Sequence, residues 1–144
     1  MKRLLLVALC ASLASGGALA KPLKWMDGPP GLPAGAKFAV LAGDPGKAGP
    51  FTVEVRMPAR YAVPPHHHPT DEHVRVLAGR LSLGMGDTLD RAKAKALKPG
   101  GTITAAANMN HYAFTGAAPA VIRISGKGPF AIVYVNPADD PRKK

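Results

Sequence analysis

The chain has 144 residues, with 19 Lys+Arg against 9 Asp+Glu and a single cysteine. That length suits one domain with its own core, and one cysteine excludes a disulfide framework within the chain. A net charge of +10 is compatible with nucleic-acid binding, but the charges are scattered rather than gathered on a motif, so no nucleic-acid partner is expected.

Residues 1–20 read as a secretory signal peptide. Lys2 and Arg3 form a basic start, and Leu4 to Leu13 is an apolar run, well short of the ~20 residues that span a bilayer. Ala18-Leu19-Ala20 supplies the small-x-small pattern before a cleavage point, expected after Ala20. The product is then periplasmic or secreted, with no stable membrane insertion. Cleavage removes Cys10 and two of the positive charges, leaving +8 and no thiol. Any metal must be held by His, Asp or Glu.

Residues 21–35, "KPLKWMDGPPGLPAG", are rich in Pro and Gly and read as an extended arm without regular structure, anchored by Trp25. Residues 36–136 form the main domain. Its strand-like runs are "KFAVLAG", "FTVEVRMP", "HVRVLAG", "RLSLGMG", "GTITAA", "HYAFTG", "AVIRISG" and "FAIVYVN". Phe51, Val53, Val55 and Met57 alternate with Thr52, Glu54 and Arg56, the period of a half-buried strand. Phe51, Val53, Met57, Leu83, Met85 and Ile124 read as inward core, and Tyr112 and Phe114 as packing residues. Short strands punctuated by Gly and Pro suggest an all-β sandwich or barrel. Thr88 to Leu97, "TLDRAKAKAL", carries helix formers at almost every position, with Thr88 or Asp87 as cap and Pro99-Gly100 as terminator, which predicts one short connecting helix. Residues 137–144 read as a polar, frayed tail.

Four of the five histidines lie in "PPHHHPTDEHVRVLAG", Pro64 to Gly79. On extended backbone His66 and His68 share a face and His67 points away. Pro69-Thr70-Asp71 is a turn. After it Glu72 shares a face with Val74 and Val76, which mark it as inward, while His73 faces out. An inward carboxylate is costly unless paired or bound to a cation. His66, His68 and Glu72 can therefore converge, with His111 from a later strand as a fourth ligand. Such a set suits one divalent transition metal: Fe, Mn, Ni or Zn.

His66, His68, Glu72 and Gly79 stand at the spacing of the first motif of the cupin superfamily, which this chain resembles. Arg60 stands where that motif usually opens with glycine. Gly100 and His111 match the second motif, in which Ala106 replaces Pro, Asn108 replaces Gly and Thr115 replaces Asn. The chain is also similar to small exported single-domain bacterial cupins, through "GPPGLPAGAKFAVLAGDP", "GMGD" and "YVNPADDPR". The resemblance implies a cupin-type β-jelly roll with a metal held by His66, His68, Glu72 and His111, and it allows a homodimer. Three readings of function follow. One is a metal-dependent enzyme, oxygenase-type before isomerase or hydrolase, acting on a small organic molecule in the barrel mouth. The second is a non-catalytic metal and small-ligand binding module. The third, prompted by the worn second motif, is a scaffold whose site is empty or vestigial. No additional acid-base residue stands out.

Overall fold

The computed structural model describes residues 21–144; the expected signal peptide lies outside the described residues. Eleven strands build the domain: β1 (Met26–Asp27), β2 (Lys37–Ala42), β3 (Gly49–Met57), β4 (Ala62–His67), β5 (Glu72–Ala78), β6 (Leu81–Met85), β7 (Lys95–Leu97), β8 (Thr102–Ala105), β9 (His111–Thr115), β10 (Ala120–Gly128) and β11 (Val133–Tyr134). They pair antiparallel in two sheets, ordered β1-β2-β3-β10-β5-β8 and β11-β4-β9-β6-β7. Each sheet turns one apolar face inward, because its strands alternate: Phe51, Val53, Val55 and Met57 from β3 meet Val74 and Val76 from β5 and Leu81 from β6 in one buried cluster. This is the all-β jelly roll expected from the sequence.

All eight strand-like runs are strands. The three others lack an alternating signal. β1 is two residues of the arm, laid on the edge of β2 through Met26↔Phe38 and Asp27↔Lys37. Trp25 anchors it, with the Arg56 guanidinium 3.8 Å above its ring. β7 lies inside the segment expected to be helical. There Asp90 accepts from Ala92 N at 3.0 Å and Lys93 N at 3.3 Å, but the turn stops because Lys95–Leu97 must pair with β6. The segment instead covers the outer face of the second sheet. Tyr112, fully buried, donates to Asp90 O at 2.6 Å, and Arg91 caps the Phe114 ring at 4.4 Å. Tertiary contacts override helix propensity here.

β4 contains Pro64-Pro65, which cannot donate to a ladder. The register with β9 jumps from Val63↔Ala113 to His66↔His111, so the two prolines oppose Tyr112 alone. The bulge explains how Val63 and His66, three apart, both line the interior.

The tail is not frayed over its described length. Pro137–Asp139 and Pro141–Lys143 form two short 3-10 turns, capped by the side chains of Asn136 and Asp140. Arg142 grips Asp140 through Nε at 2.7 Å and Nη2 at 2.8 Å, and donates to Ile132 O at 3.0 Å. Met85 departs from its expected core role. It is the last residue of β6, paired with His111 at the open end of the barrel, and is 44% exposed.

Candidate metal centre

His66 at the end of β4, His68 just beyond it, Glu72 at the start of β5 and His111 at the start of β9 meet at the same end of the barrel. All four are buried. One ring nitrogen from each histidine lies within 4.8 Å of the other two. Each Nδ1 faces a backbone carbonyl: Pro64 O for His66 and Ala131 O for His68, both at 2.7 Å, and Met109 O for His111 at 2.9 Å. A carbonyl only accepts, so each Nδ1 carries the hydrogen and each Nε2 is directed to the shared centre.

The charge states follow from these surroundings. Burial, reinforced by His111 and His68, holds the His66 pKa down to about 3, so its Nε2 lone pair is free. Burial also lowers His68 despite the nearby Glu72 carboxylate. Burial opposes the charged form of His111 too, but its hydrogen bond to Glu72, the carboxylate's charge and the Met109 carbonyl outweigh it, and its pKa is raised. For Glu72 burial acts upward, while the His111 hydrogen bond and the surrounding imidazoles bring the net shift down and keep it ionised. His111 Nε2 donates to Glu72 Oε2 at 3.1 Å. His68 Nε2 stands 3.7 Å from the same oxygen, beyond hydrogen-bond range. It is a buried nitrogen with no hydrogen-bond partner among the described residues. An orphaned donor atom beside a carboxylate and two more imidazoles is the chemistry of a metal-ligand set. The three buried histidines could hold a metal ion.

The other two histidines point away, as alternation predicts. His67 Nδ1 meets Asn110 Oδ1 at 2.9 Å, and Asn110 donates on to Asp87 at 2.7 Å. His73 Nδ1 meets Thr104 Oγ1 at 2.9 Å. The segment before β11 also contributes, without any signal in the sequence pattern. Phe130 stacks on His68, with ring centroids 4.1 Å apart at 18°, and Ala131 supplies the carbonyl that fixes its tautomer. Main-chain carbonyls and apolar stacking leave no motif. Asp71, a turn residue in the sequence, also accepts from Ala107 N at 2.8 Å and so ties the β4–β5 turn to the one that presents His111.

Behind the centre lies a cavity of about 460 Å³, lined along the barrel interior by residues such as Val53, Val63, Leu83, Ala113 and Ile122. Its side wall includes Pro29 to Leu32 of the arm.

A sequence-family profile described as the ChrR cupin-like domain matches residues 18–93, more than half of the chain. The chain belongs to this cupin family. The match includes His66, His68 and Glu72 but stops before His111. No curated protein sequence matches the chain significantly. Among solved structures, this cupin superposes on the polyketide cyclase RemF from Streptomyces resistomycificus with a TM-score of 0.62 and 20% identity, covering 75% of this chain and 76% of that one. The DMSP lyase DddQ from Ruegeria pomeroyi DSS-3 matches with a TM-score of 0.62 and 23% identity, over 78% of this chain and 60% of that one. An RmlC-like cupin from Shewanella frigidimarina NCIMB 400 matches with a TM-score of 0.59 and 13% identity, over 79% and 91%. At these identities the likeness establishes the fold.

The structure also accounts for the motif positions where this cupin departs from the family pattern. Arg60 and Asn108, both standing for glycine, have φ of +56° and +61°, the left-handed region that glycine enters freely. Gly79, which is retained, has φ of +74°, and a Cβ there would meet Pro119 O at 2.1 Å. Thr115, in place of Asn, accepts from Tyr61 N at 2.9 Å and donates to Pro58 O at 2.6 Å. It thereby fastens the β3–β4 turn to the centre of the second sheet.

Proposed function

We propose that this cupin binds one divalent transition metal (Fe, Mn, Ni or Zn) on His66, His68 and His111, with Glu72 as fourth ligand, and acts on a small organic molecule held in the barrel by oxygenase-type chemistry. The observation that carries the metal is the convergence of three anchored imidazoles, one of which, His68, has a buried Nε2 without a hydrogen-bond partner among the described residues. Such a metal supplies Lewis acidity and, for Fe, Mn or Ni, redox reach toward dioxygen. The chain's own part is to fix each tautomer through a backbone carbonyl, to exclude water with Phe130 and the apolar walls, and to keep the Glu72 carboxylate ionised beside the three imidazoles. Oxygen uptake by Fe- or Ni-loaded protein, across catechols, flavonols and diketones, tests the reaction class. Turnover of any member supports it, and silence across the panel with metal bound contradicts it.

A specific observation favours the second reading, a binding module. Among the described residues lining the cavity, the only hydroxyl is that of Tyr61, and it is committed to Pro33 O. Ligand-induced stabilisation without turnover would select this reading. Export is part of the proposal, supported by the basic-apolar-small pattern of residues 1–20. A mature N-terminus at Lys21, read by mass spectrometry of the envelope fraction, checks it.

A further inference from the structure

The cavity identifies the chemistry of what it takes. Strand register orders it. Glu72 and His111 mark one end, and β9 runs from His111 past the inward Ala113 to Thr115, which is not part of the cavity lining and whose hydroxyl is held by Tyr61 N and Pro58 O. From His111 to Thr115 is about 13 Å of strand at 3.3–3.4 Å per residue. At the far end, Met57 pairs with Ala120 and Leu81 with Thr115, and Met57 and Leu81 line the cavity floor. Between the histidines and that floor every inward side chain is apolar. The Tyr61 hydroxyl donates to Pro33 O, and Arg142, at the arm side, is gripped by Asp140. Ala113 is the smallest side chain lining this inner stretch. It lies on the face of His111, two residues on, so its size leaves the space directly behind the imidazoles open.

We infer that the ligand is a small molecule with one polar head at the histidines and an otherwise apolar body running toward Met57 and Leu81, and that Ala113 sets the size of that body. The head end rests on the metal reading above; the apolar end does not. A body bearing a second polar group would bury it beside Met57 and Leu81 without a partner, at a cost of about tenfold or more in affinity.

Two probe series separate these parts. Straight-chain monocarboxylates of two to ten carbons are titrated calorimetrically into metal-loaded protein, and neutral n-alkanols into metal-free protein. Affinity should climb about fourfold per methylene until the chain fills the cavity. An ω-hydroxy acid of equal length should bind about tenfold more weakly. Ala113→Leu should flatten the climb for long chains while metal content and melting temperature are kept. Ala113→Val, a smaller change, should shorten the plateau if the leucine variant does not fold. Flat affinity in both series, or tighter binding of the ω-hydroxy acid, overturns the inference. An unchanged plateau in a folded Ala113 variant overturns the role of that residue. Climbing alkanol affinity in a protein that takes up no metal when metal is supplied would remove the metal reading and leave the apolar ligand class supported.

Discussion

At the residue scale the proposed centre would set a proton and a metal in competition for the same nitrogen. In the metal-free protein His111 carries a hydrogen at both ring nitrogens, one toward Met109 O and one toward Glu72. Its pKa lies above the ordinary value, so this pair stabilises the metal-free fold fully below about pH 6.5 and loses its contribution as pH rises through the raised value. His66, held near 3 by burial, adds no proton in that window. Metal uptake near pH 6.5 should therefore release about one proton, read as a dependence of binding enthalpy on buffer ionisation. Zero release there would mean that His111 is already neutral. Three residues of this group were legible in the sequence because alternation fixes faces, His66 with His68 and Glu72 with Val74 and Val76, while His111 was legible through its match to the second motif. The Phe130 stack and the three anchoring carbonyls were not, since no side-chain pattern encodes them. Thr115 was visible only as a departure from a motif. Thr115→Val removes its hydroxyl at nearly constant shape and leaves the buried Tyr61 N–H without a partner. The loss should be about 1–3 kcal/mol in denaturant unfolding, and no loss would mean that another acceptor replaces it.

At the element scale, the strands with clean alternation were readable and the exceptions have separate causes. β4 is masked by two prolines that a bulge absorbs, and β7 by helix formers whose segment is held down by Tyr112 and by pairing with β6. The tight turn before β4 holds Arg60 at φ +56°, a conformation costing a non-glycine residue about 1–2 kcal/mol. Arg60→Gly relieves that cost but adds backbone freedom to the unfolded chain. The net effect should be a small gain, up to about 1 kcal/mol, in denaturant midpoint at constant slope. A clear loss would show that the Arg60 side chain contributes something its backbone does not reveal.

At the scale of the whole molecule, the two chain ends close the barrel together. The arm pairs with β2 through β1, at the edge of the first sheet. Tyr61 fastens it at Pro33 O and Tyr134 at Gly31 O, the latter at 2.7 Å. Burial, with the neighbouring Asp140, pushes the Tyr134 pKa up to about 12, so its hydroxyl remains a donor across the ordinary pH range. Gly31 is there because a side chain would collide with Ile132, 2.5 Å from where its Cβ would lie. Tyr134→Phe should cost about 1 kcal/mol and speed hydrogen exchange at the Gly28 and Leu32 amides, which donate to Ala36 O and Pro29 O, while leaving the β5–β6 hairpin protected. Uniform protection of the arm would mean that it is held by packing alone.

The central claim is that these histidines and Glu72 are a metal centre. Metal analysis of purified residues 21–144, expressed with transition metals supplied, measures it directly. About one equivalent is expected in the parent protein and His67→Ala, and less than about a tenth in His66→Ala, His68→Ala and His111→Ala. A parent protein without metal, or equal loss at His66, His67 and His68, would contradict it.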